Sequence, residues 1–286
     1  MTHRERPTLY RDCAVALLTR HHKRALLAPP LEAATGCVVT ATDAYDTDLL
    51  GSFSRTVERL DSPLHAARRK ACIGASLLGA DVGLASEGSF GPDPVGGLMP
   101  WNVELVVWVD VARGWEVVGM AQGPARHQQA RLSTLEDLRA WAVGADFPAH
   151  GLMLRPQRDD DPRVVSGILT WPALEAAFAR CAAHSDGGAV VVEHDLRAFA
   201  NPTRQRLIRA AADDLAARLS RACPACGAPG WSVVGRTPGL PCGGCGRPTL
   251  APRLERWRCA ACGHAEETPV AGPDWADPSR CDVCNP

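Results

Sequence analysis

The sequence predicts an α/β protein: a layered mixed sheet with flanking helices over residues 1–220, followed by a small zinc-ribbon module over 221–286. Three observations carry this. Short apolar runs alternate with stretches of helical apolar spacing through the first 220 residues. Two apolar runs flank "ARG" at 112–114, so at least one strand pair is an antiparallel hairpin. Eight of the twelve cysteines crowd into 223–284.

Strands are expected at 13–19, 36–41, 81–86, 103–111, 115–121, 150–154, 164–169 and 188–192, each a short apolar run bounded by polar or turn residues. Helices are expected at about 22–34, 63–79, 133–144, 172–183 and 202–221. Ser62 followed by Pro63 is a cap-then-proline start. Ser133 and Glu136 in "STLEDL" have the spacing of a capping box. Asn201-Pro202 repeats the first signal, and Leu207, Ile208, Ala211, Leu215 and Leu219 fall on one helical face.

Composition narrows the function classes. The net charge is −1, so no global field draws the chain to nucleic acid or to a membrane surface. The apolar run "CAVALL" is too short for a signal segment, and no run approaches the eighteen residues of a membrane span. A cytoplasmic protein is expected. Of 31 cationic residues only Lys23 and Lys70 are lysine. In a chain that otherwise uses arginine, two lysines suggest a need for a compact charge, although Lys70 also fits a plain basic helical run, "ARRKA".

The C-terminal cysteines form four Cys-x2-Cys pairs: Cys223/Cys226, Cys242/Cys245, Cys259/Cys262 and Cys281/Cys284. Two such pairs make a tetrahedral thiolate site, so two structural zinc ions are expected. Glycine follows Cys226, Cys245 and Cys262, as knuckle turns require. Pairing in sequence order is favoured, because the shorter loops cost less to close. A cross-brace, first pair with third and second with fourth, also satisfies both metals. Four thiolates leave no open position for catalysis. Trp231 and Trp257 among the arginines of 221–258 are compatible with single-stranded nucleic acid, but 259–286 is acidic. Nucleic acid is therefore a disfavoured partner.

In the first 220 residues, charge gathers where strands end, the usual place for ligands in α/β sheets. Thr19, His21, His22 and Lys23 follow the first strand; Asp43, Asp46 and Asp48 the second; Ser86, Glu87 and Ser89 the third; Glu193, Asp195 and Arg197 the last, with Arg204 in the next helix. Carboxylates beside Lys and Arg suit Mg²⁺ plus phosphate. The plain reading of each cluster is a capped loop or a surface ion pair. His194 would point away from the acid face.

Two resemblances follow from these blocks. "SEGSFGP", "EHDLRAFANPTR", "GLPCGGCGRPT" and "CDVCNP" together resemble an uncharacterised bacterial family, a domain of unknown function followed by zinc ribbons. "LLTRHHK", "SPLHAARRKA" and "GADVGLASEGSFG" over 13–92 resemble the start of inosine/xanthosine triphosphatases, which hydrolyse non-standard nucleoside triphosphates to monophosphates and pyrophosphate. That resemblance implies that Thr19 and Lys23 contact phosphate and that Glu87 binds Mg²⁺ or activates water. The chain departs from the pattern at His21, where that family carries Asn, and Lys23 stands one residue early.

The expected function is a Mg²⁺-dependent hydrolase of a nucleotide or other phosphorylated small molecule. Glu87, Glu193 and Asp195 would serve metal or water, and Thr19, Lys23, Arg197 and Arg204 would serve phosphate. The alternative is a non-catalytic adaptor whose zinc module binds nucleic acid or protein.

Overall fold

The computed structural model describes residues 9–20, 23–47, 62–158 and 160–286. His21, His22 and Asp48 lie outside them. The elements run β1 (Ala14–Leu18), α1 (Arg24–Thr35), β2 (Val38–Thr42), α2 (Pro63–Leu78), β3 (Val82–Pro92), β4 (Pro100–Asp110), β5 (Trp115–Pro124), β6 (Gln129–Leu132), α3 (Leu135–Gly144), β7 (Leu152–Pro156), β8 (Val165–Ile168), α4 (Trp171–Ala182), β9 (Val190–His194), α5 (Pro202–Leu219), β10 (Ser232–Pro238), β11 (Pro252–Arg258) and β12 (Ala265–Pro269).

The expected single sheet resolves into two. The first is mixed, in the order β2-β1-β3-β4-β5. Its β1 pairs in parallel with β2 and β3, and the long β3, β4 and β5 form an antiparallel meander. The second sheet, β6-β9-β7-β8, is antiparallel throughout. Strand β6, "QARL", carries a single leucine at its end, so periodicity did not reveal it. Each sheet has its own core. Leu17, Leu84, Val106 and Trp108 pack with Leu27, Leu31, Ile208 and Leu215 in one. Val190, Val192, Leu152 and Leu154 pack with Leu138, Leu174 and Phe178 in the other.

Helices cover both faces of the first sheet, α2 on one and the packed pair α1 and α5 on the other. Glycines permit the closest approaches. A Cβ at Gly83 would lie 2.0 Å from the Ala71 carbonyl of α2, and one at Gly119 would lie 2.4 Å from the Ala211 carbonyl of α5. Helix α1 continues through Pro29 and Pro30. Proline at 29 cannot donate to the Ala25 carbonyl, and the Arg209 guanidinium of α5 donates to it instead, at 3.1 Å.

The caps follow the sequence, with one shift. Ser62 accepts from the His65 N–H, and Asn201 accepts from the Arg204 N–H at 2.9 Å. The third helix is capped by Thr134, not Ser133. Its hydroxyl accepts from the Asp137 N–H and donates to the Asp137 carboxylate. Either hydroxyl has an acid three residues on; the helix starts one residue later and uses the second. Among the described residues no helix is long and apolar enough to cross a membrane.

His194 points into the second core, as expected from its alternation with Glu193. Its Nδ1 accepts the Gln128 N–H at 3.0 Å, so its proton is on Nε2, donated to the Ala145 carbonyl. His150 packs edge-on against it. Burial pushes both imidazoles below their ordinary value, and for His150 the neighbouring His194 adds to this. The unfolded chain gains protons below about pH 6.5 that the folded chain refuses, so stability is lost as pH falls through that value. The urea midpoint is expected to drop between pH 7.5 and pH 5.5, and to drop less in His150→Gln. An equal drop in that variant would contradict the assignment.

Candidate functional site

The cysteine-rich segment folds as a three-stranded antiparallel sheet, β10-β11-β12, with knuckles at its ends. The sulfurs gather as Cys223, Cys226, Cys259 and Cys262, and as Cys242, Cys245, Cys281 and Cys284. This corrects the sequence-order pairing: the cross-brace is formed. The reason is the meander. The segment between successive knuckles is occupied by a strand, and a seven-residue strand spans about 23 Å. Consecutive knuckles therefore sit at opposite ends of the sheet, and alternate ones meet. Contour length is not loop length when the chain between is rigid.

The donor sets fit zinc. In each cluster two sulfur pairs lie 3.7–3.8 Å apart, and all four sulfurs lie within 4.8 Å of one another. A tetrahedron with Zn–S bonds of about 2.3 Å has edges of about 3.8 Å. Gly227, Gly246 and Gly263 have φ of 73°, 73° and 75°, the left-handed turn expected after each Cys-x2-Cys. Trp231 stacks on both Trp257 and His264, and Arg221 lies over Trp257. These rings are engaged with one another beside the first cluster.

The second candidate site lies in the first sheet. β1 has β2 on one side and β3 on the other. The connections through α1 and α2 thus diverge at the carboxyl end of β1, a topological switch point. β3 pairs with β1 only through Leu84, so its edge runs on alone from there. Lys23, at the start of α1, reaches that edge. Its ammonium donates to the Ser86 hydroxyl at 3.0 Å and to the Ser86 carbonyl at 3.3 Å. Thr19 lines a cavity of about 450 Å³ on the β1–β2 side, with Arg20, Arg24, Thr42 and Asp43, and neither Lys23 nor Ser86 is among its lining residues. Asp46 pairs with Arg20.

Alternation along β3 divides the remaining charges. Glu87 shares the Gly83 face and pairs with Lys70 of α2. Ser86 and Gly88 share the other face, where Gly88 stands opposite Glu104. There Arg204 binds Glu104 through Nε at 2.6 Å and donates to the Leu196 carbonyl at 2.6 Å. All of these groups are buried except Lys70, which is only slightly exposed. Gly88 makes room for this ion pair, since a Cβ there would lie 2.2 Å from the Glu104 carboxylate. Asn102 donates to Glu104 as well, at 3.1 Å. Burial and the nearby Arg204 guanidinium push the Lys23 ammonium down to about 8, against the pull of Glu87 and Glu104.

The "EHDLR" acids stand in the second sheet and in the turn after it. Glu193 is buried and pairs with Arg155 at 3.2 Å. Asp195 is fully buried, accepts the Gly167 N–H at 3.0 Å, and is gripped by the Arg197 guanidinium at 2.5 Å. Arg197 also lies over Phe199. The stretch meets the first-sheet cluster through Leu196, whose carbonyl Arg204 binds.

Sequence reasoning had not singled out Glu104, Asn102 or Arg155. Glu104 had a usable signal. It alternates with the apolar Val106 and Trp108 along β4, on a face shared with Asn102 and Asp110, and an acid within such a core strand implies a buried partner. Lys70 was pointed to by lysine scarcity: both lysines of the chain contact consecutive residues, Ser86 and Glu87.

Fold and clusters together define a class: an α/β body of two sheets followed by a cross-braced pair of tetracysteine sites that fit zinc. The chain belongs to the family described as domain of unknown function DUF6671, whose model matches residues 70–286. The match includes Lys70, Glu87, Glu104, Arg204 and all eight clustered cysteines, while Thr19 and Lys23 precede it. Comparison with curated proteins and with solved structures finds no match.

Proposed function

We propose that the chain is a Mg²⁺-dependent hydrolase of a nucleotide or other phosphorylated small molecule, acting at the switch-point cluster. The observation that carries this is Lys23. The two buried carboxylates nearby each have a cation, Lys70 for Glu87 and Arg204 for Glu104. Lys23 is 8% exposed and has no carboxylate in contact among the described residues; among them the hydrogen-bond partner of its ammonium is Ser86. A buried ammonium in contact with no carboxylate among the described residues is costly in a purely structural role, and a phosphate group would supply a direct partner for it.

Other features support the same reading. Among the described residues no group of three carboxylates is close enough to cage an ion; the two cysteine clusters are the metal-competent groups. Mg²⁺ that arrives with substrate phosphates needs only one or two protein carboxylates, and Glu87 would supply one. Bound Mg²⁺ would offset phosphoryl charge as it develops. Lys23 and Thr19 would hold phosphoryl oxygens, and Arg204 would keep the field positive from the α5 side. Glu193 and Asp195, each held by an arginine, are assigned to orienting the β9–α5 connection from which Arg204 comes, with Arg197 beside them.

A panel of nucleotides and phosphate esters tests this. Wild type is expected to release phosphate or pyrophosphate only with Mg²⁺. Removing one charge-stabilising group typically costs about 10²–10³ in turnover, and losses of that order are expected for Lys23→Met and Glu87→Gln. No turnover across the panel would favour the adaptor, a non-catalytic zinc module that binds nucleic acid or protein.

A further inference from the structure

Lys23 and Ser86 form a contact unlike the other buried charged contacts of the first sheet. Lys70 and Arg204 bind carboxylates, whereas Lys23 binds a hydroxyl. The Ser86 side chain has no other hydrogen-bond partner among the described residues. Among the described residues the group placed to accept its hydroxyl proton is the lysine nitrogen, whenever that nitrogen is neutral. Both residues are buried, and they meet where the β3 edge runs on beyond β1. A serine hydroxyl 3.0 Å from a buried lysine amine has the distance of an activated nucleophile and its base.

We propose that Ser86 is the nucleophile and Lys23 its general base in a two-step phosphoryl transfer; the substrate class rests on the phosphate reading above. In the first step the neutral Lys23 amine takes the Ser86 hydroxyl proton as Oγ attacks phosphorus. The Oγ–P bond forms and the bond from phosphorus to the leaving oxygen breaks. That oxygen keeps the electron pair and takes the proton from the Lys23 ammonium. In the second step water attacks the phosphoserine and gives a proton to Lys23. The Oγ–P bond breaks, Oγ takes that proton back, and phosphate leaves. The sum is hydrolysis, with no change of oxidation state. Between proton transfers Lys23 is a cation facing the phosphoryl oxygens, so one residue serves as base and as charge partner.

The environment suits this use. Burial and Arg204 hold the ammonium down to about 8, which leaves neutral amine available near physiological pH. Arginine could not take this role, since it does not deprotonate. That gives a reason for lysine at 23 in a chain that otherwise uses arginine for nearly every cation.

The test is covalent labelling of the full, zinc-loaded chain with diisopropyl fluorophosphate between pH 6.5 and 9.5, mapped by peptide mass spectrometry. One adduct is expected, on Ser86, with a rate that rises through about pH 8 and then levels. Lys23→Met is expected to slow labelling by about 10²-fold, the low end for general base catalysis. An unlabelled Ser86 in folded wild type overturns the proposal, and so does wild-type labelling in Lys23→Met. Mapping the wild type needs no variant to fold. The two readings fail separately. Turnover that survives in Ser86→Ala removes the nucleophile and leaves the hydrolase. Labelled Ser86 beside an inactive substrate panel upholds the nucleophile–base pair and removes the phosphorylated substrate.

Discussion

Replacing Cys223 and Cys259 together by serine is expected to remove one zinc ion and leave the other bound. Both residues belong to one cluster, although a second cysteine pair lies between them in the chain. Replacing Cys223 and Cys242 is expected to remove both ions, because each cluster then loses a ligand. Sequence-order pairing predicts the reverse for these two variants. Zinc per chain, measured by native mass spectrometry, separates the cases. The effect on the module should be large. Structural zinc contributes about 10–16 kcal/mol of apparent binding energy in small zinc domains, and this three-stranded sheet has little core of its own. Most side chains of β10–β12 are partly or fully exposed. Loss of the first cluster should therefore open β10–β11 to amide exchange. It should also loosen the end of α5, because Arg221 accepts the N–H groups of Gly230 and Trp231 next to the first knuckle.

Arg204→Met is expected to cost about 3–5 kcal/mol, the range for leaving one partner of a buried ion pair alone. Glu104 has no exposed surface, and its carboxylate would keep only the Asn102 amide among the contacts described here. The Leu196 carbonyl would lose its donor in the same change. The comparison that decides the origin of the loss is the double variant, Arg204→Met with Glu104→Leu. Replacing a buried pair by apolar residues of similar volume is often neutral, so the double variant should recover most of the stability. Urea midpoints of the wild type, the single variant and the double variant measure this. A double variant as unstable as the single would mean that Arg204 stabilises chiefly through Leu196 and not through Glu104.

Much of the fold was legible because local signals agreed with one another. The apolar runs of β1 and β3 are buried on both faces, as inner strands of a sheet covered by helices on each side must be. Asn201-Pro202 and Ser62-Pro63 started helices where they stand. The division into two sheets was not legible. It depends on which strands pair, and β6, the edge strand beside β9, lacks an apolar pattern. Similar limits applied to the candidate site. Lys23 and Glu87 stood out by type and place, but nothing local joins Glu104 to Arg204, which lie 100 residues apart.

By itself the sequence determined the zinc chemistry, since four Cys-x2-Cys pairs with knuckle glycines leave few other uses for eight thiols. It also determined the α/β class, and it marked the two lysines as unusual. Only the tertiary structure decided which cysteines share a metal, because strand direction, not spacing, sets which knuckles meet. Only the tertiary structure brought Lys23 to Ser86 and Lys70 to Glu87. Those contacts depend on β3 crossing to the far side of β1 and running on past its end, a choice of strand order that no local run of residues encodes.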